Sequence, residues 1–360
     1  MMANSLDPAL DPLVSPEPRA AKALEDFAFD PELAPGARNA VEVCLAIQPG
    51  EKVTLITDHA TRDIAASMVR ELSRIGSPYR TWLLEDLAPR PLVEFPREIG
   101  DDLKTSQVSI FAVEAQANEL PSRMQMTDIV NRYKIRHAHM VNINRQIMRE
   151  GMRADFRKVD RISSKVLEIV ERASEIRAQT AAGTDLVARL NPGYRWLKTS
   201  GLISREKWGN LPGGEVFTTP GEVNGTFVID GVVGDWLCAK FGELHQAPLT
   251  IRVKENRVTE AHSSNRELEN DFWSYTHTDE NSDRVGEFAI GTNIELKDVI
   301  GQILQDEKYP GVHIAFGNPY GLHTGADWYS STHIDVVGRE FDIWVEDQQI
   351  MRGGRFLLQA

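Results

Sequence analysis

Between residues 52 and 142 the chain alternates strand-type and helix-type runs, and this alternation constrains its fold more than any other feature. Residues 52–57 (KVTLIT) are a run of β-formers. The helical spacing of Ile64, Ala65, Met68, Val69 and Leu72 follows, with Asp58 or Thr61 placed to cap it and Gly76 to end it. Residues 79–84, 107–113 and 137–142 have the same strand character. Residues 125–133 read as a helix, and 165–177 as a long one. Strand and helix in turn imply right-handed βαβ units and a mostly parallel sheet. A helical period over 37–47, stopped by Gln48-Pro49-Gly50, precedes the first strand. After that strand, Thr57-Asp58-His59-Ala60-Thr61 offers neither G-x-G-x-x-G nor a Walker lysine, so nucleotide binding is not expected.

The pattern changes near Ala181-Ala182-Gly183-Thr184. Short β-type runs then dominate, at 186–190, 215–219, 225–229 and 249–253, and residues 249–258 read as a hairpin. Helices are expected only at 265–275 and 298–304. At 360 residues the chain exceeds the roughly 250–300 at which one core stops growing. The expected layout is therefore an arm over 1–35, an α/β domain over 36–182 and a mainly antiparallel α+β domain over 183–360. Six prolines (8, 12, 16, 18, 31 and 35) mark the arm, which is expected to lie loose or along a partner.

Charge and cysteine usage exclude several functions. Forty Lys and Arg against 53 Asp and Glu give a net charge of -13, the wrong sign for a nucleic-acid or anionic-membrane binder. Cys44 and Cys238 are the only cysteines, and both sit in apolar runs, so neither a disulfide scaffold nor a cysteine-rich zinc site is expected. No apolar run approaches the ~18 residues of a membrane span, and the acidic, proline-rich start is unlike a signal peptide. A cytoplasmic protein is expected.

Chemistry concentrates in four short segments of the second half. In His333-Ile334-Asp335, within a β-branched run, residues two apart on a strand face the same way and look into one site. His313 lies in the apolar run 311–317, Glu287 in 286–290 and Glu215 in 212–220. An isolated acid or imidazole in an apolar strand is costly to bury. Four such segments favour one shared cation over four separate pairs. Tyr320 follows in the turn Gly317-Asn-Pro-Tyr-Gly321, where its hydroxyl could ligate a metal or donate to an oxyanion. His137 and His139 share a strand face but have no carboxylate nearby, and are expected to be packed imidazoles. His323 and Asp327 are expected as solvent-facing loop residues.

Taken in order, Leu211-Pro-Gly-Gly-Glu215-Val-Phe-Thr-Thr-Pro220, Val223-Asn-Gly225, Gly286-Glu287, His313-Ile-Ala-Phe-Gly-Asn-Pro-Tyr320 and Thr332-His333-Ile-Asp335 resemble the thermophilic aminopeptidase family. Its members are metal-dependent exopeptidases that remove single amino-terminal residues. The resemblance implies a dinuclear site held by Glu215, Glu287, His313, Tyr320, His333 and Asp335, with Glu215 and Tyr320 also catalytic. It further implies two divalent ions (Zn, Co or Mn), short peptide substrates and a homodimer of two-domain subunits. The run 304–310 and the twelve residues between Tyr320 and His333 depart from the family pattern. The chain is also similar, more distantly, to the ring-opening 2,5-dihydroxypyridine dioxygenases, which would imply one Fe(II) held by His313, His333 and Asp335. Glu215 and Glu287 decide between the two: hydrolysis uses both, ring opening needs neither. Their presence favours the aminopeptidase.

Overall fold

A computed structural model describes residues 24–206 and 208–358. The first sheet is parallel, with strands β1 (Val53–Thr57), β2 (Tyr79–Leu83), β3 (Val108–Val113), β4 (Arg136–Val141) and β8 (Gly209–Asn210) in the order β2-β1-β3-β4-β8. Its strands are apolar on both faces, as the βαβ alternation requires. Val53, Leu55, Val108 and Ile110 point into one core with the helix Arg62–Arg74. Ile56, Phe111 and Val113 point into another with Met126 and Val130 of the helix Leu120–Tyr133.

The long helix that follows is Phe156–Val170, beginning nine residues before the expected 165 and ending short of 177. Asp155 explains the start: its carboxylate accepts from the free backbone N–H groups of Arg157 and Lys158. Residues 175–177, expected as helix, open a strand in which Ile176 and Ala178 turn inward while Arg177 turns out. Phe156 and Val159 enter the first core, and Ile162, Val166 and Val170 enter that of the second half. One helix thus ties the two halves together.

The second half is antiparallel, as expected. Its larger sheet comprises β5 (Glu175–Gln179), β6 (Asp185–Arg189), β10 (Glu222–Ile229), β11 (Leu249–Lys254), β12 (Arg257–Ser263), β16 (Asp342–Val345), β17 (Gln348–Arg352) and β18 (Arg355–Phe356), ordered β12-β11-β10-β6-β5-β16-β17-β18. The smaller one runs β15-β14-β13-β9-β7, from β7 (Leu197–Thr199), β9 (Glu215–Thr218), β13 (Val285–Gly291), β14 (Gly311–Gly317) and β15 (His333–Val337). Phe227, Ile251 and Ile343 of the larger sheet meet Val216, Phe288, Ile290, Ile314, Phe316 and Val336 of the smaller in one core. The opposite face of the smaller sheet is left for polar residues.

The turn between β5 and β6 contains residue 183, and β8, from beyond it, completes the first sheet. Residues 1–23 of the expected arm lie outside the described residues. Leu24 and Leu33 are buried in the first core. The helix expected at 298–304 is shorter, Ile303–Asp306. Among the described residues no helix is long and apolar enough to cross a membrane.

Candidate metal centre

Strand register brings the ligand-type residues together. Glu287 and Asp335 both lie opposite Ala315, Ala289 lies opposite His313, and Gly291 lies opposite Glu215. Residues paired across a strand share a face, as do residues two apart along it. Glu215, Glu287, His313, His333 and Asp335 therefore stand on one face of four adjacent strands. The positions between them are Ala289, Gly291 and Ala315, which leave room for converging side chains.

A bulge sets the register. Val285 pairs with Phe316 but Glu287 with Ala315, so Gly286 is the extra residue. A Cβ on Gly286 would meet the Gly317 carbonyl oxygen at 2.3 Å, so only glycine fits.

Two groups of ligand atoms result, and Glu287 belongs to both. In the first, His313 Nε2 lies 3.5 Å from Glu215 Oε2 and 3.5 Å from Glu287 Oε1. That nitrogen is buried and has no hydrogen-bond partner. In the second, His333 Nε2 lies 4.0 Å from Glu287 Oε2 and 3.4 Å from Asp335 Oδ2. Nδ1 of His333 is 3.0 Å from the Asn318 carbonyl oxygen, which accepts its proton and leaves Nε2 as the nitrogen that faces the acids. Asn318 is fixed in turn: its side-chain oxygen accepts from the Tyr320 N–H and its amide donates to the Ser330 carbonyl. Tyr320 packs against His333, with ring centroids 4.7 Å apart and the ring planes tilted by 50°, and sits at φ 50° in the left-handed region.

The electrostatics are those of crowded acids with few cations. Burial opposes charge on His333, but the Asp335 and Glu287 carboxylates outweigh it and push the imidazole up to about 10. Asp335 is held down to about 2, against its own burial, chiefly by His333. Glu287 is raised by burial and by repulsion from Asp335 and Glu215. Burial would raise Glu215, but Lys308 and His313 outweigh it and hold it low. His313 is raised, because Glu287 and Glu215 overcome its burial.

Lys308 was not among the residues the sequence singled out. It is 1% exposed, and its Nζ lies 2.7 Å from Glu215 Oε1 while also contacting Glu307. Burial disfavours its charge, yet these two carboxylates hold it protonated. Thr199 Oγ1 donates to the same Glu215 oxygen at 2.6 Å. Glu307 is itself raised to about 8 by burial, in spite of Lys308. Asp235, at the start of the helix Asp235–Phe241, is raised by burial and by nearby Asp335. Lys308 lies in the run 304–310 that departs from the family pattern; it follows the short helix Ile303–Asp306 and is turned inward.

The other imidazoles stand apart. His137 bonds Ser109 (2.8 Å) and His139 (3.2 Å), and His139 stacks on Phe111. Burial pulls His137 down to about 3, so this is a packed neutral pair. His323, in the short helix Gly321–Thr324, and Asp327, in the loop after it, are both exposed.

A buried, unpartnered imidazole nitrogen between two carboxylates suits a divalent cation. Fold and site together define a candidate metal-binding protein. The sequence profile of the thermophilic metalloproteases (M29) matches residues 107–340, and the chain belongs to that family. Two solved structures share the fold. The 2,5-dihydroxypyridine dioxygenase from Pseudomonas putida KT2440 aligns at TM-score 0.67 and 15% identity, over 91% of this chain and 97% of that one. Wild-type AmpT from Thermus thermophilus aligns at TM-score 0.64 and 18% identity, over 92% of this chain and all (100%) of that one. No curated protein matches.

Proposed function

We propose that this protein is an aminopeptidase that removes the amino-terminal residue of short peptides at a dinuclear site, with Glu287 shared by the two ligand groups. The observation that carries the reading is His313 Nε2, buried without a hydrogen bond and 3.5 Å from each of Glu215 and Glu287. Glu215, Glu287 and His313 would hold one ion; Glu287, His333 and Asp335 would hold the other. Bound divalent ions supply Lewis acidity, lowering the pKa of water and polarising the scissile carbonyl.

The chain's own residues do the rest. The Asn318 carbonyl holds His333 in the tautomer whose Nε2 faces the acids. Thr199 and Lys308 fix one oxygen of Glu215 and leave Oε2 directed at His313. Tyr320, packed against His333, serves as a ligand or as the hydroxyl that donates to the carbonyl oxygen as it gains charge. A homodimer and a cytoplasmic setting complete the reading; the free, buried state of both cysteines is in keeping with the latter.

Ring opening on a single Fe(II) would use His313, His333 and Asp335 and leave two buried acids, Glu215 and Glu287, idle. Hydrolysis uses every member of the cluster. The test is release of leucine from leucine amide by protein loaded with Zn, Co or Mn. Activity that falls at least about 100-fold in Glu287→Gln supports the reading. No release with any of the three metals, together with oxygen uptake on 2,5-dihydroxypyridine in the presence of Fe(II), overturns it.

A further inference from the structure

The two ligand groups share Glu287 but differ in charge. In the group with His313, Glu215 is already paired with a full positive charge: Lys308 Nζ is 2.7 Å from its Oε1, and Thr199 donates to that same oxygen. Lys308 is 1% exposed, so little solvent screens it, and an ammonium this deeply buried persists only because it is paired. In the group with His333, neither Glu287 nor Asp335 forms an ion pair with any lysine or arginine among the described residues; their partners are imidazoles. A cation beside Glu215 would meet the repulsion of Lys308 at close range. A cation between His333 and Asp335 would meet no lysine or arginine of the described residues at that range, and the proton it displaces from His333 leaves as the ion binds.

We propose that Lys308 makes the two positions unequal, so that the site loads in order: the Glu287/His333/Asp335 position binds its ion first and tightly, and the Glu215/Glu287/His313 position binds a second ion weakly and exchangeably. Lys308 acts as a positioning residue for Glu215 and as a fixed charge that attenuates the second ion. The inference rests on the metallopeptidase reading. It makes hydrolytic activity depend on free metal concentration well above that needed to fill the first position.

Calorimetric titration of chelator-treated full-length protein with zinc chloride tests it. The wild type should show two binding steps with Kd values at least about 10-fold apart. Lys308→Met, which removes the charge while keeping the bulk, should tighten the weaker step by at least about 10-fold, and Lys308→Arg should leave the gap in place. A second step too weak to detect in the wild type that emerges in Lys308→Met also supports the proposal. Independently of whether Lys308→Met folds, His313→Ala should erase only the weak step and His333→Ala the tight one. Two equal steps in the wild type, a weaker second step in Lys308→Met, or loss of the tight step in His313→Ala overturns it. Equal steps with leucine amide hydrolysis intact overturn only the role of Lys308. Absence of zinc binding together with absence of hydrolysis overturns the metallopeptidase reading as well.

Discussion

Glu287 and Asp335 sit on different strands of one sheet, each directly opposite Ala315 on the strand between them. Their Cα atoms are therefore about 10 Å apart, two strand spacings, and their side chains lean together over a methyl group. The small residue is a requirement of the site. Ala315→Leu would put a branched side chain where the carboxylates and His313 converge. Zinc affinity should drop by at least about 10-fold while the circular dichroism spectrum is retained, since overpacking typically costs only ~1–3 kcal/mol.

Gly286 carries the bulge that turns Glu287 to the polar face. With a Cβ 2.3 Å from the Gly317 carbonyl, Gly286→Ala forces the two strands apart. Urea denaturation should register a loss of about 1–3 kcal/mol. Zinc binding should weaken in parallel because the register itself shifts. A stable variant with intact binding would show that the bulge does not set the register.

Metal binding must displace the proton that Asp335 and Glu287 hold on His333. With that imidazole pushed up to about 10, zinc uptake at pH 7 should release about one proton from it, read from calorimetry in buffers of different ionisation enthalpy. Affinity should rise with pH toward 10.

The metal-free protein follows the reverse course. His333 is raised from its unfolded value near 6.5, so its contribution to stability is complete below about 6.5 and is lost as pH climbs through about 10. Asp335 is depressed to about 2, so its contribution is present above about 3.9 and lost as pH falls through about 2. Thermal unfolding of chelator-treated protein should thus find the pair fully stabilising between about pH 4 and 6.5. His333→Gln should flatten the decline on the alkaline side.

Much of this architecture was legible before the fold was in hand. The parallel first half follows from the alternation of strand and helix, and His333 and Asp335 announce their shared face through two-residue spacing. The helix Phe156–Val170 was displaced because Lys165 to Arg177 can be read with helical spacing, whereas the Asp155 cap and the in-out alternation of Ile176 and Ala178 settle where it begins and ends. The partners of Glu215 could not be read: it pairs with Gly291 on a strand about 76 residues further along the chain, and that register appears only once the sheet is assembled. Lys308 was hidden for a simpler reason. A lysine beside glutamate in a polar turn is ordinarily solvated, and only the packed structure shows the ammonium buried between two carboxylates.

The central claim is that these acids and imidazoles converge to hold divalent ions, and anomalous diffraction from zinc-loaded crystals tests it most directly. The account predicts a peak at about 2.0–2.2 Å from ligand atoms of Glu287, His333 and Asp335, with a second, weaker peak beside Glu215 and His313 as zinc is raised. Zinc bound elsewhere, with Glu287 and both imidazoles free of it, would contradict the account.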